Sequence, residues 1–149
     1  MPSRAHQRRV LFLLRHLEDH LREGLRGEVI VAPYPVRLAP GSFREPDLLV
    51  VLTEHRSWLT PRFAESADLV VEVVHPDDPE RDRVTKRREY ALAGIPEYWI
   101  VDEAEGAITV LALERGAYVV AGRHGPGEVA RSKLLPGFEV DVAPCLPLE

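Results

Sequence analysis

From Ala5 to Leu25 the apolar residues Val10, Leu14, Leu17, Leu21 and Leu25 recur at three- and four-residue steps, with arginines and acids between them. That is the stripe of an amphipathic helix, and Gly24 and Gly27 mark its end. The period then changes. GEVIVAPYPVRLAPGS, residues 27–42, reads as one or two extended segments broken by Pro33 and Pro35, which suit an edge or irregular strand and exclude a central one. EPDLLVVLTE is a short strand bounded by Pro46 and Thr53, and ADLVVEVVHP is another whose near-continuous Val and Leu content predicts cover on both faces.

The spacing predicts a helix over Pro79 to Ala93, with Asp77 or Asp78 as N-cap, Pro79 in its first turn and Gly94 at its end. IPEYWIVD is the next strand. AITVLAL, AYVVAGR and GFEVDVA are further β segments, the first two joined as a hairpin at Glu114 to Ala117 and the last following a turn at Leu135 to Gly137. No internal repeat, low-complexity tract or linker interrupts the chain. Helix, strands, helix, strands describes a mixed sheet with helices against it, an α/β or α+β fold in a single domain over residues 1–149.

Composition narrows the classes. With 149 residues, 45% hydrophobic and 29% charged, the chain is long enough for one buried core. No apolar run approaches the roughly 20 residues of a membrane span, and the start MPSRAHQRRV lacks a signal-peptide pattern, so the expected address is the cytoplasm and no membrane partner is expected. The net charge of -5 offers no general attraction to a polyanion. A nucleic-acid partner would need a local basic patch, and PERDRVTKRREY, residues 79–90, is the candidate; a solvated helix face laced with ion pairs explains the same run. Cys145 is the single cysteine and has no basic or histidine neighbour in the tail APCLPLE, so it reads as incidental.

Two carboxylates break the strand pattern: Asp47 at the mouth of DLLVVL and Glu72 in the middle of LVVEVV. A buried, unpaired carboxylate costs several kcal/mol, on the order of any unpartnered ion, so each faces water or meets a cation. If the two strands are sheet neighbours, their acids converge, repel and raise one another's pKa unless a divalent cation lies between them. Oxygen ligands of this kind suit Mg²⁺ or Mn²⁺. The alternative is that Asp47 caps a turn and Glu72 faces solvent or pairs with an arginine. Asp82 and Lys86, four residues apart on the following helix, would bring an ammonium back over the acidic edge, where it could stabilise an attacking hydroxide and charge developing on a phosphate. His75 follows the Glu72 strand and could touch the same site. His6, His16, His20, His55 and His124 show no metal-ligand spacing, and the His16/His20 pair lacks a third ligand.

Assembled, these segments resemble the Uma-type family of restriction endonucleases, a branch of the PD-(D/E)XK nuclease superfamily. The likeness lies in PDLLVV at 46–51, LVVEVVHPDD at 69–78, the acid and lysine of RDRVTK at 81–86, REYALAGIPEYWIVD at 88–102 and the tail LLPGFEVDV. It implies a restriction-endonuclease-like central mixed sheet of four or five strands flanked by helices, with a β-rich C-terminal part. It also implies Asp47 and Glu72 as metal ligands, the Val73 carbonyl as a third, and Lys86 as the catalytic lysine. The superfamily's usual lysine stands two residues beyond the second acid, where this chain has Val74, and His75 stands where relatives commonly have serine. The implied activity is Mg²⁺- or Mn²⁺-dependent hydrolysis of DNA phosphodiester bonds. Asp82 then orients Lys86, approaches a metal-bound water or is a surface helix charge, Tyr90 packs over the site or faces the sheet, and Tyr98 and Trp99 form core or a subunit interface rather than a base-stacking platform. A homodimer or higher homo-oligomer would supply two sites and a larger footprint. The competing readings are a non-catalytic nucleic-acid-binding or assembly module retaining the fold, and a structural domain whose acids are only ion-paired.

Overall fold

The computed structural model describes residues 2–146. Helix α1 spans Arg4–Glu23 and starts at Ser3, whose side-chain oxygen accepts the backbone N–H of His6. Strands β1 (Gly27–Val31), β2 (Val36–Ala39), β3 (Ser42–Arg44), β4 (Leu48–Leu52) and β5 (Leu69–Val73) follow. Next come α2 (Lys86–Leu92), β6 (Glu97–Asp102), β7 (Ala107–Glu114), β8 (Ala117–His124), β9 (Val129–Arg131), β10 (Glu139–Asp141) and the single turn α3 (Val142–Cys145). The central sheet has six strands in the order β1-β4-β5-β6-β7-β8. Only β5 and β6 run parallel; the other pairs are antiparallel, so the sheet is mixed. A parallel pair needs a crossover, and residues 74–96, which contain α2, make it.

The strands alternate between two cores. Leu48, Val50, Leu69, Val71, Val73, Trp99 and Val101 join α1, β9, β10 and α3 on one face, whereas Leu49, Val51, Val70, Tyr98 and Ile100 meet Tyr90 of α2 on the other. All five residues of β5 are buried, in agreement with a strand covered on both faces. The proline-interrupted segment gives the edge strand β1 and, separately, the β2–β3 hairpin. The β7–β8 turn is two residues long, Arg115 and Gly116, both with positive φ (52° and 82°). That turn matches the right-handed twist of the flanking strands, and it explains why the sheet has six strands rather than four or five: the hairpin extends it without a break.

Two sequence expectations are corrected, and one buried acid joins them. The buried stripe of α1 is His6, Val10, Leu13, Leu17 and Leu21; Leu14 lies at its margin, and Leu25, beyond the helix end, is 80% exposed. Neither Asp77 nor Asp78 caps the second helix through its side chain. Asp78 instead pairs with Arg81 at 3.1 Å, and the helix starts at Pro79 as expected but passes through a π-helical turn over Arg81–Thr85 before α2. Glu97 is a buried acid that the pattern did not single out. It is 1% exposed and accepts from Trp99 Nε1 (2.8 Å), Ser132 Oγ (2.6 Å) and the backbone N–H groups of Lys133 (2.9 Å) and Leu134 (3.0 Å). It ties the C-terminal segment to β6.

Replacing Glu97 by Ala leaves four donors without their acceptor, the Trp99 indole buried and the other three partly so, each costing about 1–3 kcal/mol when unsatisfied. Denaturant unfolding of Glu97→Ala should therefore show a loss of roughly 3 kcal/mol or more, with a smaller loss for Glu97→Gln. Equal stability of Glu97→Ala and the unmodified protein would contradict this account.

Candidate active site

The β4–β5 register, which pairs Leu48 with Val71, carries Asp47 alongside Glu72. The two acids are joined through the backbone as well. The Val73 N–H donates to Asp47 Oδ2 at 2.7 Å, and the Asp47 N–H points at Glu72 Oε1 at 3.4 Å. Alternation then aims Glu72 at the α2 face, on the same side as Val70. There Tyr90 donates its hydroxyl to Glu72 Oε2 at 2.6 Å, and Lys86 Nζ lies 2.9 Å from that same oxygen.

Lys86 is held a second time, 2.9 Å from Asp82 Oδ1. The angle there falls outside hydrogen-bond geometry, so this buried oxygen has a counter-charge without a directed bond. Asp82 is 1% exposed, which removes the surface-charge reading. The π-helical turn positions it, and the Tyr98 hydroxyl donates to its backbone carbonyl at 2.8 Å. The structure thus gathers Asp47, Glu72, Asp82, Lys86 and Tyr90, with Tyr90 both facing the sheet and touching the acid. His75 is adjacent: its N–H reaches toward Asp82 Oδ2 at 3.4 Å, and its ring stacks on His6 with centroids 4.6 Å apart. Val73 meets Asp47 through its N–H. Val74, where a strand-borne lysine would stand, packs against the α2 core.

Other singled-out residues lie elsewhere. Tyr98 and Trp99 point to opposite faces of β6 and are both core. Asp102 holds Arg83 in a two-point pair at 2.6 and 3.0 Å. Within the basic run, Arg81 and Arg83 are ion-paired, and Glu89 is paired to Arg44 of β3. His16 bonds Phe12 O and His20 contacts Arg26, so the two share no centre. Cys145 is buried with its thiol pushed up to about 11 by desolvation, which suits an inert side chain.

Sequence reasoning missed His6, whose Nε2 lies 3.3 Å from Asp47 Oδ2. Its signal was the helical phase: His6 stands one turn before Val10 on the buried stripe. Access to the cluster exists from two directions. A cavity of about 340 Å³ is lined by Arg44, Glu45, Arg81 and Lys86, and one of about 350 Å³ is lined by His6, Val31 and Asp47.

Burial pushes Glu72 up to about 7; Asp47 adds to the rise, while Lys86 and Tyr90 oppose it. Burial pulls the Lys86 ammonium down, but Glu72 and Asp82 outweigh it and leave its pKa above the ordinary value. Tyr90 is raised by desolvation and by the Glu72 charge and stays a donor. One lysine therefore incompletely compensates three acids, and the site remains receptive to further positive charge. The donors fit a cation held by Asp47 and Glu72 with open positions for water and substrate, as is usual for Mg²⁺. They do not form a closed cage: among the described residues no three His, Cys, Asp or Glu side chains are gathered around a common point.

Comparison with known proteins bears on the family and the fold. The sequence profile of the Uma2 family, described as "Putative restriction endonuclease", matches residues 1–143. No curated protein matches. Among solved structures, a putative nuclease belonging to DUF820 from Anabaena variabilis ATCC 29413 superimposes with a TM-score of 0.77 at 11% identity, covering 97% of this chain and 82% of that one. At that identity the likeness speaks for the fold, and the restriction-endonuclease-like mixed sheet is shown. Among the described residues, no helix is long and apolar enough to cross a membrane.

The Glu72 shift has a stability consequence. A carboxyl group whose folded pKa lies above its unfolded one binds its proton more tightly in the native state. Its contribution is full below the unfolded value of 4.5 and declines as pH rises toward about 7. In cation-free buffer the stability of the unmodified protein relative to Glu72→Gln should fall by roughly 3 kcal/mol over that interval. A pH-independent difference in chemical denaturation would overturn the assignment.

Proposed function

We propose, from the premise that the chain belongs to the Uma2 family, that it is a metal-dependent endonuclease hydrolysing phosphodiester bonds of DNA. The observation that carries this reading is the convergence of Asp47, Glu72 and Lys86, with Lys86 Nζ 2.9 Å from Glu72 Oε2 and the two acids bridged through the Asp47 and Val73 backbones. Asp47 and Glu72, with the Val73 carbonyl, would hold Mg²⁺ or Mn²⁺. When bound, such a cation lowers the pKa of water and polarises the phosphate.

The remaining work falls to the chain. Lys86 supplies a fixed positive charge beside the acids, where it orients the attacking nucleophile and offsets charge developing on the phosphate oxygens. Asp82 holds the lysine ammonium in place, and the Tyr90 hydroxyl keeps Glu72 Oε2 from turning away. Arg44 and Arg81 line the cavity on the Lys86 side, where a phosphate backbone would draw on them in exchange for their partners Glu89 and Asp78. A homodimer would supply two such sites and enlarge a footprint that one acidic chain presents poorly to duplex DNA.

Titrating Mg²⁺ and Mn²⁺ while assaying single- and double-stranded DNA tests the reading. Cleavage should require the cation and disappear in Glu72→Ala. Lys86→Ala should lower the rate by about 10²–10³-fold, while cation affinity is kept or improved because Glu72 loses a competing ammonium. DNA bound but never cut, with no cation dependence, would favour the non-catalytic module, and cleavage that survives Glu72→Ala would point to a contaminant.

A further inference from the structure

We infer that Phe43 is a base-stacking platform in the Lys86 cavity, so that the DNA taken there is single-stranded or locally unpaired beside the scissile bond; this rests on the proposed endonuclease reading. Phe43 lies on β3 and is 44% exposed, and among the described residues it is the one aromatic ring among the large apolar side chains open to solvent. A lone exposed apolar residue is ordinary, but this one stands in charged company. It lines the cavity of about 340 Å³ together with Pro35, Arg44, Glu45, Arg81 and Lys86. An aromatic ring beside three cations and a single acid matches single-stranded nucleic acid, whose bases stack on the ring while the cations follow its phosphates.

The ring is also held in place. Across the β2–β3 hairpin Phe43 stands opposite Arg37, whose guanidinium lies 5.7 Å from the ring centroid, and Phe63 meets it edge-on at 5.5 Å and 84°. The hairpin is anchored on both strands. Arg44 makes two bonds to Glu89 of α2, at 2.9 and 2.8 Å, and the Arg37 N–H donates to the Ala64 carbonyl at 2.9 Å. A platform oriented before binding loses little freedom when a base stacks on it.

Lys86 shares the cavity and reaches Glu72 at 2.9 Å, so a base on Phe43 belongs to a nucleotide next to the phosphate under attack. An intact duplex does not offer this contact. Its bases are covered by their neighbours, and freeing one costs unstacking energy that is least where the base is already unpaired. Tyr98 and Trp99, closed off in the two cores, cannot take that role.

The test uses the full chain with Ca²⁺ as the cation and reads binding rather than cleavage. The probe is a single-stranded oligothymidylate carrying one 5-iodouracil, irradiated in complex and mapped by mass spectrometry, with a duplex of the same length as the competitor. The cross-link should fall on Phe43. Phe43→Leu should lose it and weaken single-strand binding by about tenfold or more while duplex binding is unchanged, and Phe43→Trp, which keeps an aromatic face, should retain tight single-strand binding. The cross-link is read in unmodified protein, so the result does not depend on how a variant folds. Oligonucleotide bound with the cross-link elsewhere, or a Phe43→Leu loss equal for single strand and duplex, overturns the inference and leaves the endonuclease reading standing. Failure to bind either form of DNA overturns both.

Discussion

Glu72 needs a counter-charge, and much of the molecule's polar architecture follows from that need. At 2% exposure on a strand of valines, an unpartnered carboxylate would be penalised by several kcal/mol. The pairing has three parts: an ammonium from α2, a hydroxyl from the same helix one turn on, and a backbone N–H from the neighbouring strand. Each part constrains an element. Lys86 and Tyr90 must both face the sheet, which fixes the rotation of α2. Asp82 must lie on that face too, and the π-helical turn over Arg81–Thr85 sets the phase that brings it there. Such turns insert an extra residue into a helix and recur where side chains have to be aimed.

The sheet separates this polar work from the bulk of the apolar packing. Trp99 and the even-numbered residues of β4 build the α1 face, while the polar cluster lies at one end of the α2 face. The Val73-to-Asp47 bond ties β5 to the residue before β4, where the register would otherwise fray. The arginines around the cluster are mostly committed: Arg44 to Glu89, Arg81 to Asp78 and Arg83 to Asp102. Lys86 alone is shared between two of the buried acids, so the local field at the cluster is governed by one side chain.

What was legible in the sequence is what short-range physics decides. Alternation and continuous Val/Leu runs located β4, β5 and β6; Pro33 and Pro35 marked an edge; Arg115-Gly116 marked the hairpin. Asp47 and Glu72 stood out because each contradicts its surroundings, and Lys86 because it follows Asp82 by four residues on one helix face. The phase of α1 through Val10, Leu17 and Leu21 was legible, but Leu14 was taken for Leu13, since both are apolar and only tertiary packing distinguishes them. His6 was missed because the stripe was not followed one turn back from Val10. The π-helical turn could not be read from RDRVT, which has ordinary helix-forming content; the pull of buried partners, not propensity, sets its shape. Glu97 was invisible for a similar reason, as its donors come from residues 132–134 and from Trp99.

The position of the lysine bears on how the site would cycle. A lysine on β5 at position 74 would be tethered to the same strand as Glu72, and Val74 instead packs in the α2 core. Moving the ammonium to a helix places it beside a second carboxylate, Asp82, at the same 2.9 Å distance as Glu72. Leaving Glu72 then exchanges one ion-pair contact rather than stranding a buried charge, whose exposure to an apolar site would be penalised by several kcal/mol. A strand lysine with one partner has no such exit. The helix-borne arrangement therefore permits Glu72 to pass from ammonium to cation while Lys86 stays charged and close, which is the condition the proposed chemistry requires.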